Sequence, residues 1–185
     1  RRLKRDVLTQ LPPKTRREIQ LQVNGLGHIK SLRRQLTFIN KTIHSSNEEE
    51  QKKKHFERKR IISEMFRETA KVKAKNVAKW LMDRLEAYDE KIVFFGYHQV
   101  MLDMVETLCS NVEKIRIDGS TSTENRQAYV NRFQDDPKVR LAVLSLMAAG
   151  TGLTLTASST VVFGEMYWVP GVILQAEDRC HRISQ

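Results

Sequence analysis

From residue 91 onward, short β-branched and aromatic runs alternate with stretches of helical periodicity, and no other feature of the chain restricts its fold as strongly. Residues 92–95 (Ile-Val-Phe-Phe), 114–117, 141–144 and 160–163 read as strands bounded by turn-forming or charged residues. Between them, residues 98–109 read as a helix, and Thr121 with Glu124 forms a capping-box pattern that predicts a helix through Phe133. Strands separated by helices of about 10–15 residues predict right-handed crossovers and a mostly parallel sheet flanked by helices, an α/β fold. Ligands of such sheets gather at the carboxyl ends of the strands. The turns at Gly96, at Asp118-Gly119-Ser120 and at residues 145–152 all fall there.

The first part of the chain is organised differently. Residues 17–23 alternate polar and apolar side chains, as expected of a half-buried strand. Ile29, Leu32, Leu36, Ile39 and Ile43 recur at spacings of three and four, which predicts a helix. The run Ser45-Ser-Asn-Glu-Glu-Glu50 interrupts it and supplies caps and first-turn acids for a second, strongly charged helix over about residues 48–70. These two helices are expected to form an antiparallel pair projecting from the main lobe. A further helix follows, with Ala74, Val77, Ala78, Leu81, Met82 and Leu85 tracing one apolar face.

At the far end, Gln175, Arg179 and Arg182 stand at i, i+4 and i+7 and share one face of a helix. Two guanidiniums a turn apart can reach one small polyanion together, and their planar donor forks match phosphate geometry. A bare Arg-x-x-Arg pair reads far more readily as the solvated face of an end-helix, and only the motifs before it change that.

Those motifs are "SLxAxGxGLxLT" (145–156), "YWxPG" (167–171) and "QAxDRxHRxxQ" (175–185), preceded by "KIVFFGYHQVMLD" (91–103) and "IRIDGSTSxxxRxxxVxxFQ" (115–134). In this order and spacing they resemble the second RecA-like lobe of the Swi/Snf-type, superfamily-two DNA-dependent ATPases. "RRLKxxVLxxLPPK" (1–14) is similar to the segment leading into that lobe, and "GExYWxPG" with "QAEDR" is most similar to the annealing-helicase (HARP-like) branch. Ser184, Val169 and Cys180 depart from the residues more usual there. The resemblance divides the chain into a lead-in (1–23), a helical protrusion (24–70) and a RecA-like helicase C-terminal domain (71–185).

The resemblance implies roles for particular residues. Arg179 and Arg182 become arginine fingers, with Gln175, Gly150 and Gly152 at the ATP cleft. Gly119, Ser120 and Thr121 become donors to a DNA phosphate at a helix N-terminus, with Arg126 adding charge, Ser145 at a strand end and Trp168 near the DNA. Each has a plainer reading. The glycine turn can be a tight turn only, the hydroxyls helix caps, Arg126 a surface ion-pair partner and Trp168 a core residue. His98 and His181 need no catalytic role.

The phosphate loop GxxxxGK[ST] and the acidic magnesium pair are absent from the sequence. In the family both belong to the first RecA-like lobe, which holds most of the ATP and Mg2+. Arginines without that cradle cannot hydrolyse ATP. The chain is therefore expected to be inactive alone, a piece of a longer polypeptide whose first lobe is its partner. The resemblance implies a DNA-translocating motor on double-stranded or forked DNA in the nucleus. The alternatives are a chromatin-remodelling ATPase lobe and a basic DNA-binding module without ATP coupling.

Composition agrees with a polyanionic partner. Residues 1–79 hold 22 Lys/Arg against 8 Asp/Glu, whereas residues 80–185 hold 10 against 14. The excess of the +10 net charge thus lies in the lead-in and protrusion, which suits nucleic acid, although a lysine-rich helix also serves solubility. Cys109 and Cys180 lack metal-ligand spacing, so neither a zinc site nor a disulfide framework is expected, and a reducing compartment fits. No apolar stretch approaches the roughly 18 residues of a membrane span. A dinucleotide site at Gly150-Thr-Gly152 is disfavoured, because Leu155 stands where the third glycine is needed.

Overall fold

The computed structural model describes residues 13–43, 47–148 and 152–180. Among them the elements run α1 (Gly27–Thr42), α2 (Glu48–Ala87), β1 (Ile92–Gly96), α3 (Gln99–Leu108), β2 (Lys114–Ile117), α4 (Thr123–Asp135), β3 (Leu141–Ser145), β4 (Thr160–Phe163) and α5 (Pro170–Cys180). The four strands form one sheet in the order β2-β3-β1-β4, and every pairing is parallel. The expected α/β class is observed.

Alternation along β1 explains how both faces of the sheet are covered, since successive side chains point to opposite sides. Val93 and Phe95 join Ile117, Phe133, Leu144, Ile173 and Ala176 in a core on one face. Ile92 and Phe94 join Leu81, Leu85, Met101, Leu102 and Val105 in a core on the other. The strands with register Ile92↔Leu141 and Phe95↔Phe163 all run the same way, so their carboxyl ends share one edge.

Three local expectations are corrected. Residues 17–23 lie in no strand: Leu21 packs on the α2/α3 core, and the Asn76 side-chain amide donates to the Gln22 carbonyl, so the alternation finds a helix surface in place of a partner strand. The helices expected around 48–70 and 74–85 are one helix of 40 residues. It starts where Asn47 accepts the Glu50 N–H at 2.9 Å, with Glu48, Glu49 and Glu50 in its first turn complementing the helix dipole. Its first half packs on α1 through Leu32, Ile39 and Ile61, and its second half packs in the lobe, so the protrusion grows out of the lobe along a continuous rod. At the outer end, Lys54 Nζ donates to the Thr42 carbonyl at 3.1 Å and ties the α1 terminus to α2. Finally, α4 is capped by Ser122, whose hydroxyl accepts from the Asn125 N–H at 3.3 Å. Thr121 instead turns back and accepts the Asp118 N–H at 3.1 Å, so the cap falls one residue later than expected, at Ser122.

Candidate nucleotide and nucleic-acid site

The loop after β2 is a polar knot built around one buried carboxylate. Asp118 Oδ1 accepts from the Ser120 N–H at 3.0 Å and from its hydroxyl at 2.6 Å, while Oδ2 accepts from Arg116 Nε at 3.1 Å. These bonds, that from Ser120 foremost, hold the Asp118 carboxyl below the ordinary carboxylate range. Arg126 is tied into the same loop. Its Nε donates to the Thr121 carbonyl at 2.9 Å and its Nη2 to the Asp118 carbonyl at 3.2 Å, stapling the loop to the first turn of α4. Arg116 lies among Asp103, Glu106 and Gln99 at 2.5–2.8 Å. Burial works against its charge, but those acids outweigh the burial and raise its affinity for the proton. Beside the knot opens a hollow of about 370 Å³ lined by Arg116, Asp118, Ser120, Thr121, Ser122, Asn125 and Tyr129. Gly119 is exposed, and a Cβ there would meet nothing within 4 Å.

At the neighbouring strand ends a second buried acid organises the edge. Glu165 is 1% exposed; its Oε2 accepts from the backbone N–H groups of Tyr97 at 2.8 Å and His98 at 2.9 Å, and its Oε1 lies 2.7 Å from His98 Nδ1. One carboxylate after β4 thus fixes the turn after β1. Gly164 must precede it without a side chain, because a Cβ there would lie 2.9 Å from Phe94 Cε2 and closer still to Cζ. Around this staple stand Phe66 from α2, Tyr97, His98, Tyr167 and Trp168. Phe66 lies 4.7 Å from both His98 and Trp168, and Tyr97 stacks on Tyr167 at 4.9 Å between centroids. Lys73, one α2 stretch further on, has its ammonium disfavoured by burial, partly offset by the charge of Glu165.

Trp168 is 52% exposed, so it is not a core residue. Ser145 is 7% exposed, at the β3 end opposite Gly96 in the sheet register. On α5, Gln175 is exposed and Arg179 half-buried, and Ile173, Ala176 and Cys180 turn inward. The Arg179 carbonyl accepts the Leu155 N–H at 3.0 Å, which joins the helix to the segment after β3. Gly152 has φ +82°, a left-handed conformation that suits glycine. Gly150, His181 and Arg182 lie outside the described residues. The lead-in also reaches α5: Arg16 grips Glu177 with Nε at 2.9 Å and Nη2 at 2.7 Å, and Lys14 lies 3.1 Å from Asp178.

The profile of the helicase conserved C-terminal domain family matches residues 72–184. The chain belongs to this family. Human DNA annealing helicase and endonuclease ZRANB3 is 42% identical over 187 residues, spanning all of this chain and 17% of that protein. The SWI/SNF-related matrix-associated actin-dependent regulator of chromatin subfamily A-like protein 1 of Xenopus tropicalis is 38% identical over 190 residues, again across the whole chain and 19% of its own length. A solved structure, the C-terminal part of the Fun30 ATPase domain, superposes with a TM-score of 0.55 at 29% identity, covering 60% of this chain and 36% of that one. These relatives bear out the Swi/Snf-type resemblance and the RecA-like lobe. The chain spans under a fifth of the length of both curated relatives.

Within the helicase lobe, Gly119, Ser120, Thr121 and Arg126, expected together from the sequence, do meet at one loop. Glu165, His98, Phe66 and Lys73 form a unit that no motif marks. The one available signal is Glu165 itself, a lone acid inside the apolar stretch of residues 161–169.

Proposed function

We propose that this helicase C-terminal domain is the second motor lobe of an ATP-dependent DNA translocase that reanneals or remodels branched DNA. Its family match over residues 72–184, together with polar loops gathered at the carboxyl edge of a parallel sheet, is the observation that carries this reading. Arg179 and Arg182 act as arginine fingers toward the triphosphate of a nucleotide cradled by the first lobe, with Gln175 and the Gly150–Gly152 turn beside them. Guanidiniums at that place stabilise charge on the transferring phosphoryl group, and removing such a finger lowers turnover by roughly 10³–10⁵-fold. Mg2+ would neutralise phosphate charge, and the family resemblance assigns its ligands mainly to the first lobe.

On the DNA side, the exposed loop offers the Gly119 N–H and the Thr121 hydroxyl proton to a backbone phosphate near the α4 N-terminus, while Ser120, whose donors Asp118 holds, and Arg126 act by shaping that loop. Trp168, half exposed on a platform of aromatic rings, stacks against the DNA. The annealing-helicase resemblance supports residence in the nucleus, with the first lobe of the same polypeptide as the partner of this one.

The test is ATP hydrolysis by the full-length protein with and without forked DNA, comparing wild type with Arg182→Ala and Arg179→Ala. Hydrolysis stimulated by the fork and lost in the variants is the expected result. Hydrolysis indifferent to both DNA and the substitutions overturns the motor reading and leaves a DNA-binding module without ATP coupling. The chromatin-regulator name of one relative favours a second reading, a nucleosome-directed lobe; stronger stimulation by nucleosomes than by forks would select it.

A further inference from the structure

We propose that the outer face of α2 in the protrusion is a second nucleic-acid contact and that its occupant is an unpaired strand. Phe56 stands 74% exposed on this helix. On a helical surface the neighbours of any residue are those three and four positions away. For Phe56 these are Lys52, Lys53, Lys59 and Arg60, so all four are cations, and all four are exposed. Lys53 pairs with Glu49 at 3.0 Å; among the described residues nothing forms an ion pair with Lys52, Lys59 or Arg60. The face toward α1 carries Ile61 and Met65 and points the other way.

A lone exposed phenylalanine needs no explanation by itself. A ring enclosed by four positive charges is different, because an apolar partner would have to desolvate the cations and an ordinary acidic surface would leave the ring in water. A polyanion with free π-faces satisfies both. Base stacking on an aromatic ring combined with backbone attraction is the mode of single-strand binding, and a duplex offers phosphates without a base face to stack on. The stripe is also continuous with the lobe. Lys52, Lys59 and Phe66 recur every seven residues on one side of the helix, and Phe66 touches Trp168 about 15 Å along the axis from Phe56. A strand leaving the Trp168 platform along α2 therefore meets Lys59 and then Phe56.

This inference rests on the reading that the protein engages DNA, but not on ATP coupling. The test uses the full-length protein with three probes: a blunt duplex, a fork with unpaired arms, and the arm alone as an oligonucleotide. Phe56→Ala removes no buried contact and leaves folding intact. We expect it to weaken binding of the arm and the fork by about fivefold to a hundredfold while duplex affinity holds. Lys59→Glu with Arg60→Glu is expected to lower the slope of log affinity against log salt for the arm by about 1.4 or more. A photo-crosslinking residue at position 56 should label the unpaired arm. Unchanged arm affinity in both variants, or labelling of a protein or an anionic vesicle in preference to the arm, overturns the proposal. Loss of arm binding in a protein whose ATP hydrolysis ignores DNA would sustain this contact while the motor reading falls. Fork-stimulated hydrolysis with arm binding unaffected would do the reverse.

Discussion

The indole of Trp168 rests on the ring of Phe66, centroids 4.7 Å apart, and so joins the loop after β4 to the middle of the long helix α2. The protrusion and the strand edge thereby share a ring cluster, with Phe66 also 5.3 Å from Tyr97. The half-exposed Trp168 is held in place by a side chain from another element, so its orientation depends on α2 as much as on its own loop. With Trp80→Phe as background, Phe66→Ala is expected to raise acrylamide quenching of the remaining indole. Stability should fall by more than about 1 kcal/mol, since each aromatic pair contributes about 0.5–1.5 kcal/mol beyond burial and Phe66 contacts Tyr97, His98 and Trp168. Unaltered quenching would show that the loop holds Trp168 alone.

Glu165 accepts two backbone N–H groups and faces His98 Nδ1 from a site closed to water. Replacing it with alanine leaves these donors unpaired inside the protein. Each orphaned donor costs about 1–3 kcal/mol, so Glu165→Ala should lower the urea midpoint by an amount equivalent to several kcal/mol. Glu165→Gln keeps an acceptor oxygen and should lose less. Equal losses for the two would mean that the charge, and not the acceptor geometry, matters.

How much of this was legible follows from where the signals sit. The strands at residues 92–95, 114–117, 141–144 and 160–163 could be read because apolar runs and flanking turns are local properties. Continuity of α2 through residue 70 could not, because its buried face changes partner from α1 to α3 and the apolar pattern breaks where the backbone does not. The alternation of residues 17–23 suggested a strand, and only tertiary context shows that no strand lies beside it. Glu165 and His98 are distant in sequence, and nothing in either residue names the other. Gly119, Ser120 and Thr121 were legible because a loop and the helix it caps are contiguous.

Glu177 links α5 to the lead-in, and its pH dependence has a definite sign. Its hydrogen bond from Arg16, with the nearby Lys14 and Arg16 charges, lowers its pKa in the folded chain against the burial that raises it. A depressed carboxyl contributes stability that is fully present above the unfolded value of about 4.3 and is lost as pH falls through the lower folded value. Wild type should therefore lose stability below about pH 4 more steeply than Glu177→Gln, and the two melting curves should converge in acid. Parallel curves at every pH would show that the Arg16 clasp adds nothing.

Burial pushes the Cys180 thiol up to about 12 and raises that of Cys109. Both are free and buried. Neither should react with a thiol reagent at pH 8 in the native protein, and both should react once urea unfolds it, since the thiolate is the nucleophile. Rapid labelling of either in native buffer would mean that its helix opens without global unfolding.

Arg126 offers a way to separate positioning from charge. Its fork spans two carbonyls, those of Thr121 at 2.9 Å and Asp118 at 3.2 Å, from two different nitrogens. Lysine keeps the positive charge but presents a single ammonium on a flexible stem and cannot reproduce that spacing. If Arg126 served DNA as a point charge, Arg126→Lys would bind nearly as wild type and Arg126→Ala would lose about one unit of salt slope. If it acts by shaping the Gly119–Thr121 loop, lysine and alanine should weaken duplex binding alike. Arg126→Lys should then leave the salt slope unchanged and cost about 1 kcal/mol of stability for the lost hydrogen bond. The two carbonyl contacts favour the second outcome, and titrating the three proteins with duplex at several salt concentrations decides it.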